Sequence, residues 1–172
     1  MSKWFMLTLV GKDQIGIVAK ITTILYKSGC NLGEASMLRL GGNFTIMLMV
    51  SYDDTVQSLS NLLEPVANNL QLHFHIDAID GQLHQHPTPN LRIRVYGADR
   101  IGIVAQVTTA LANCGFNILD LESDVGGDDV NPFYVMNIEG FATTGIEAVE
   151  EALQVLSQQL EVKFEPIETA VM

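Results

Sequence analysis

Two stretches of this 172-residue chain repeat one hydrophobic pattern, and that pattern predicts the fold. In each stretch, apolar residues first alternate with other residues, as in a half-buried strand, and then recur at helical spacing. The alternating positions are Phe5, Leu7 and Leu9 in the first stretch and Leu91, Ile93 and Val95 in the second. The helical positions are Ile17, Ile21, Ile24 and Leu25, then Ile103, Val107 and Leu111. The pattern predicts a strand and then a helix, twice.

The two stretches are copies of each other. Residues 11–31 align without a gap on residues 97–117, and 12 of the 21 positions are identical. Each copy continues with a second strand, a turn at a Gly-Gly pair and a third strand, predicted over 44–51 and 133–139. Helices are predicted over 54–69 and 145–159, and final strands over 72–79 and 162–167. Internal repeats of this length indicate two units of one fold.

Two details of the second helices carry further predictions. Pro65 stands late in the first of them, so we expect a kink or an early end there. Thr144 and Glu147 have the spacing of a capping box at the start of the other.

The element order βαββαβ, found twice, predicts an α+β fold of two ferredoxin-like domains. Each domain is expected to have a four-stranded antiparallel sheet with two helices on one face. We predict the first domain over residues 1–80, a linker over 81–90 that contains Pro87 and Pro89, and the second domain over 91–172. The third strand of the first copy is apolar on both faces, including Met47 and Met49, so we expect its sheet to pack against another surface. That surface is expected to be the other half of the chain or a second copy, which favours a homo-oligomer. The alternative is that the acidic hairpin at 128–132 or the linker covers the sheet.

Composition narrows the function classes. A net charge of -11 disfavours direct binding to nucleic acid, which requires clustered Lys and Arg. No apolar run approaches the roughly 18 residues of a membrane-spanning helix. We therefore expect a soluble protein that does not bind membranes. Cys30 and Cys114 are too few for a disulfide framework, which favours the cytoplasm, and we expect both to be small buried hydrophobes.

One turn in each copy has the chemistry of a binding site. The motif Gly-x-Asp-x-x-Gly leads directly into the first helix, with Asp13 in the first copy and Asp99 in the second. Amide groups in the first turn of a helix attract a carboxylate, and the Asp side chain pairs with an ammonium group. A ligand that carries both groups is an α-amino acid. Asn31 and Asn117 are expected to add a polar side chain beside the turn. The alternative is that each Asp only caps its helix.

These motifs, in a double βαββαβ chain, resemble a tandem pair of ACT domains. The resemblance covers nearly the whole chain and is closest to the glycine cleavage system transcriptional repressor family. It implies a non-enzymatic regulator that responds to glycine or another small amino acid and contacts a DNA-binding transcription factor. Family proteins usually have Pro where Ile15 and Ile101 stand here. The ligand-binding residues that we predict are Gly11, Asp13, Gly16, Ile17 and Asn31, and Gly97, Asp99, Gly102, Ile103 and Asn117.

Two other functions stay open from the sequence. In one, the chain is an ACT-type regulatory subunit whose partner is a metabolic enzyme of amino-acid biosynthesis. In the other, the histidine pairs bind zinc or nickel; these are His73, His75, His84 and His86. Since no catalytic motif is found, we predict no enzymatic activity, no metal and no cofactor other than the amino-acid effector. Arg92 and Arg94 share one side of a strand, and we expect them to pair with acidic neighbours.

Overall fold

The computed structural model describes residues 3–80, 87–98 and 101–167. These residues form two compact units, one on each side of the segment predicted as a linker. The units are called the first and the second domain below, and each is described by itself. The exact boundaries at residues 80 and 91 stay a prediction, because part of the linker lies outside the described residues.

The first domain has the predicted element order. Its elements are β1 (Lys3–Lys12), α1 (Ile17–Lys27), β2 (Asn31–Leu40), β3 (Asn43–Tyr52), α2 (Val56–Asn69) and β4 (Leu72–Ile79). The strands lie side by side in the order β2-β3-β1-β4, and every neighbouring pair is antiparallel. β2 and β4 are therefore the outer strands of the sheet.

The second domain repeats this arrangement. Its elements are β5 (Leu91–Ala98), α3 (Ile103–Asn113), β6 (Phe116–Gly127), β7 (Pro132–Ala142), α4 (Ile146–Gln154) and β8 (Glu161–Pro166). The strand order is β6-β7-β5-β8, again antiparallel throughout. The predicted α+β fold, a ferredoxin-like βαββαβ unit repeated twice, is confirmed.

Each domain has its own hydrophobic core between the two helices and one face of the sheet. In the first domain, Phe5, Leu7 and Leu9 of β1 pack in one cluster with Ile21 of α1 and Leu63 of α2. In the second domain the corresponding cluster joins β5 and β7 to α3 and α4. The face of each sheet away from its helices, called the open face below, therefore lies outside the domain's core.

Part of the open face of the first domain is buried, and the expected packing against another surface stays a prediction. Met49 and Ser51 lie on this face, opposite Met6 and Trp4 of β1, and both are only 8% exposed. Met47 lies nearer the other end of the same strand and is 47% exposed. β3 is thus buried on both faces near Met49 and Ser51, whereas near Met47 its open face is exposed.

The helix ends correct two predictions. α2 continues through Pro65 to Asn69, so the early end is wrong; burial of Leu63 and Ala67 on either side of the proline holds the helix in place. α4 ends at Gln154, earlier than expected, and residues 155–159 form turns in which Val155 is exposed. The predicted capping box is also wrong, because the hydroxyl of Thr144 donates to the carbonyl oxygen of Cys114.

Candidate functional site

The predicted turn of the first domain joins the end of β1 to the start of α1. Gly16 is the N-cap residue, with φ +89° and ψ 4°, a left-handed conformation that favours glycine. The first helical bond runs from the amide of Lys20 to the carbonyl oxygen of Gly16. The amides of the three preceding residues, Ile17, Val18 and Ala19, have no acceptor one turn earlier and carry a partial positive charge. This helix end is therefore suited to an anionic group.

Asp13 lies in the same turn and is held at two points. Its backbone amide donates to the carbonyl oxygen of Gly42 in the β2–β3 turn, at 3.1 Å. Its carboxylate accepts from Arg39 of β2, with Oδ2 lying 2.7 Å from Nε and 2.5 Å from Nη2. Asp13 thus pairs with a cation and does not cap α1, so the alternative that it is a simple helix cap is wrong for this domain.

Arg39 lines the candidate site, although it was not predicted from the sequence. It lies on the helix side of β2, directly opposite Phe44 of β3, and Phe44 in turn lies opposite Gly11 at the end of β1. This register brings Arg39 to the turn although 26 residues separate it from Asp13. A signal was present in the sequence, because a tight turn at Gly41-Gly42 places the end of β2 at the same end of the sheet as the end of β1, with the start of β3 between them.

These residues surround a shallow cavity of about 400 Å³ between the start of α1 and the end of β2. Its lining is mainly apolar apart from Asp13, Arg39 and Gln14, and the amide of Gln14 already donates to the carbonyl oxygen of Leu70 at 2.7 Å. The lining residues are Asp13, Gln14, Gly16, Ile17, Val18, Ala19, Met37, Arg39 and Phe44.

Three predicted site residues, Gly11, Gly97 and Ile17, have structural roles. A Cβ atom on Gly11 would lie 2.6 Å from Cδ2 of Leu72, and a Cβ on Gly97 would lie 2.5 Å from Cδ2 of Leu160. Glycine at these positions allows the edge of the turn to pack against the last strand or the segment before it. Ile17 is 2% exposed and belongs to the core, so only its backbone is suited to meeting a ligand.

Asn31 lies far from the turn of its own domain. It pairs with Ser51 on β3, whereas Gly11 pairs with Phe44. Seven residues of strand separate these two positions, a distance of about 23 Å. The expectation that Asn31 stands beside the turn of the same domain is therefore wrong. α1 runs from the turn toward the other end of the sheet, and β2 begins there, directly after α1.

Asn117 repeats this placement in the second domain. It pairs with Phe141, whereas Gly97 pairs with Tyr134, so the same seven residues of strand lie between Asn117 and the turn. The corresponding expectation for Asn117 is wrong for the same reason.

The second domain repeats the helix start. Gly102 has φ +91° and accepts at its carbonyl oxygen from the amide of Gln106, as Gly16 does from Lys20. Ile103 is buried in the core, like Ile17. The predicted Asp99 lies outside the described residues.

The two sites differ on the neighbouring strand. Val125 lies opposite Tyr134, which in turn lies opposite Gly97, so Val125 occupies the position that Arg39 has in the first domain. The two sites therefore share a helix start and differ in the charge that β2 and β6 contribute.

The histidines do not form a metal cluster in the described part of the chain. His73 and His75 lie exposed on β4, and Nε2 of His75 is 3.0 Å from Oδ1 of Asp77. Among residues 3–80, 87–98 and 101–167, no three His, Cys, Asp or Glu side chains come together as metal ligands. His84 and His86 lie outside these ranges.

The arginines of β5 form ion pairs on the open face, as expected. Arg92 contacts Glu139 at 2.6 Å and Glu165 at 3.4 Å, and Arg94 contacts Glu165 at 3.7 Å. The hydrogen bond from Arg92 to Glu139 and the negative charge of Glu139 raise the pKa of the Arg92 guanidinium above its ordinary value.

The two cysteines follow in part the expectation that both are buried. Cys30 is buried and Cys114 is half-buried. Burial raises the pKa of the Cys30 thiol, which disfavours the reactive thiolate at neutral pH.

Comparison with protein families decides what kind of module this is. The model of the ACT domain matches residues 3–77 and again residues 90–166. The chain belongs to the ACT domain family. The matches include all six elements of each βαββαβ unit, the first ending two residues before the end of β4, so each domain of the chain is an ACT domain.

Curated relatives resemble one part of the chain. The UPF0237 protein of Corynebacterium diphtheriae is 31% identical over 62 residues, which are 36% of this chain and 70% of that protein. The UPF0237 protein of Clostridium perfringens is 25% identical over 84 residues, or 46% of this chain and 94% of that protein. The second relative therefore has about the length of a single ACT domain.

Two solved structures match the tandem fold over almost their full length. A protein of unknown function from Galdieria sulphuraria has a TM-score of 0.78 at 23% identity, covering 98% of this chain and 100% of its own. A proposed glycine cleavage system transcriptional repressor has a TM-score of 0.69 at 17% identity, covering 97% of this chain and 99% of its own. At these identities the likeness is one of fold. In the described part of this ACT-domain protein, no helix is long and apolar enough to cross a membrane.

Proposed function

We propose that this tandem ACT-domain protein is a non-enzymatic, amino-acid-responsive regulator of the kind that represses glycine cleavage genes. It acts in the cytoplasm by contacting a DNA-binding transcription factor. Its effector is glycine or another small amino acid. The ACT domain matches support a regulatory role, and the structure named as a proposed glycine cleavage repressor shares the tandem fold.

One observation carries the proposal. The start of α1 presents its amides at a cavity whose rim also holds the carboxylate of Asp13. Amides at a helix start attract a carboxylate, and an aspartate attracts an ammonium group, so the two features together suit the charged ends of an α-amino acid. The same helix start recurs at Gly102 in the second domain.

Sheet edges offer a route from ligand to partner. β2 and β6 are outer strands, and antiparallel pairing of such an edge with another brings the start of one strand beside the end of the other. If β2 pairs with β2 of a second copy, Asn31 at the start of the strand reaches the turn site of that copy's first domain. A ligand that binds a site shared between two sheets stabilises the arrangement in which those sheets are paired. A regulator that changes between two states requires a ligand with such a preference.

Affinity purification of the full chain from its native cells, with and without millimolar glycine or serine, tests this function. We expect a DNA-binding transcription factor to be recovered in an amount that changes with the amino acid. A variant with Asp13→Asn and Asp99→Asn is expected to recover the same amount under both conditions. Recovery of a metabolic enzyme in place of the transcription factor, or recovery that ignores the amino acid, contradicts the proposal.

A further inference from the structure

We infer that Arg39 is a ligand-binding residue of the first ACT domain and determines its specificity for zwitterions. In this inference, Arg39 holds the carboxylate of the amino acid while Asp13 holds its ammonium group. The inference rests on the proposed function, which supplies the amino acid, and it adds the residue that recognises one of the two charges.

The geometry of the ion pair leaves both partners able to bind a ligand. Nε and Nη2 of Arg39 both contact the same oxygen of Asp13, Oδ2. In this ion pair of two described residues, neither Nη1 of Arg39 nor Oδ1 of Asp13 takes part. The Arg39 side chain is 65% exposed and the Asp13 side chain 26% exposed. A donor and an acceptor of opposite charge thus stand side by side at the cavity.

Such a pair is complementary to a zwitterion. An α-amino acid carries its carboxylate and its ammonium group on one carbon atom, so the two charges lie as close together as those of Asp13 and Arg39. Guanidinium groups bind carboxylates through paired hydrogen bonds, which a lysine ammonium does not reproduce. Because the ion pair is partly solvated, its side chains can turn toward a ligand at little cost.

Arg39 and Asp13 are the charged side chains in the lining of this cavity. Gln14 is engaged with the carbonyl oxygen of Leu70, and the other side chains of the lining are apolar. Met37 and Phe44 flank Arg39 on the sheet side of the cavity. Charged recognition at this site therefore falls to Arg39, Asp13 and the first amides of α1.

The second domain supplies a substitution that the fold tolerates. Val125 occupies the position of Arg39 and is 52% exposed on the same kind of strand. Arg39→Val therefore copies a residue that the chain already accepts there. Arg94→Val is the matched control, because Arg94 is also an exposed strand arginine and lies on the open face of the other domain.

The experiment is a titration of the full, ¹⁵N-labelled chain with glycine, serine and leucine, followed by NMR. The amide signals of Gly16 to Ala19 report on the first site alone. We expect Arg39→Val to weaken binding at this site at least tenfold, Arg39→Lys to weaken it less, and Arg94→Val to leave it unchanged. Unaltered signals of α2 and β4, which belong to the first domain and lie outside the cavity lining, show that this domain is folded in each variant. Arg39→Lys provides the test if Arg39→Val is not folded.

The outcomes separate the two proposals. If wild-type protein shows no shifts with any of these amino acids, the proposed function fails and the role of Arg39 with it. If wild type and Arg39→Val bind equally, or if the variant binds more tightly because Arg39 competes with the ligand, only the role of Arg39 is overturned. Equal weakening by Arg94→Val overturns it as well, because the effect is then one of overall charge.

Discussion

Gly16 carries a backbone constraint at the start of α1. Its φ of +89° turns the chain from β1 into α1, and the same angle recurs at Gly102. No atom outside the immediate chain lies within 4 Å of the place where a Cβ of Gly16 would stand. The constraint on this residue is therefore backbone conformation and not space. Its bare backbone also leaves the helix start open to a ligand.

Two substitutions at Gly16 separate the effect of backbone conformation from that of side-chain contacts. Gly16→Ala is expected to destabilise the chain by about 1 kcal/mol, because an L residue is strained at this φ. Gly16→Asn is expected to cost less, since asparagine accepts the left-handed conformation better than alanine does. Chemical denaturation of both variants measures the difference. Equal stability of Gly16→Ala and wild type would show that the turn relaxes to another conformation.

Individual site residues were predictable only where the motif itself fixes them. Asp13 and Gly16 lie where the repeated motif predicts, because a short turn before a helix is local in sequence. Arg39 was missed and Asn31 was misplaced, because both depend on strand register and on which end of the sheet a strand begins. Register is set by pairing between strands distant in sequence, which a motif does not specify.

Element positions follow the hydrophobic period closely, and the errors occur at helix ends. The alternation and the helical spacing identify eight strands and four helices in the described residues. Residues 155–159 were predicted as the last part of α4 because their residue types resemble those of a helix. Packing, which the pattern does not specify, determines that the helix stops at Gln154. Thr144 was expected to cap that helix, but its hydroxyl instead joins the turn to Cys114 of the α3 end.

β2 is the element best suited to meet another molecule. It is an outer strand of ten residues, and Leu38 and Leu40 on its open face are 56% and 72% exposed. An outer strand with exposed apolar side chains favours pairing with another edge. This observation supports the predicted homo-oligomer.

Charge on this edge provides the test. Replacing Leu38 and Leu40 with Lys is expected to weaken self-association at least tenfold, because edge lysines oppose pairing. The stability of the dilute chain is expected to change by no more than about 0.5 kcal/mol, since both side chains are exposed. Sedimentation equilibrium measures association, and Val155→Lys, at a residue 81% exposed outside the strands, is the control. Unchanged association of the double variant, or a wild type that is monomeric throughout, contradicts this role of β2.

At the scale of the whole molecule, one fold carries two different open faces. Met6 and Met49 lie opposite each other in the first domain. The corresponding pair in the second domain is Arg92 and Glu139, joined by an ion pair. The repeats therefore share their cores and helix starts and differ on the surfaces that face away from the helices. Such a difference favours distinct partners for the two domains over two copies of one interface.

Isothermal titration calorimetry measures whether the two turn sites bind an amino acid. Wild-type chain is titrated with glycine, serine and the branched-chain amino acids, beside the variant carrying Asp13→Asn and Asp99→Asn. We predict saturable heat for at least one amino acid in the wild type and its loss in the variant. Absence of heat for every amino acid at millimolar concentration, or equal heat in the variant, would contradict the account.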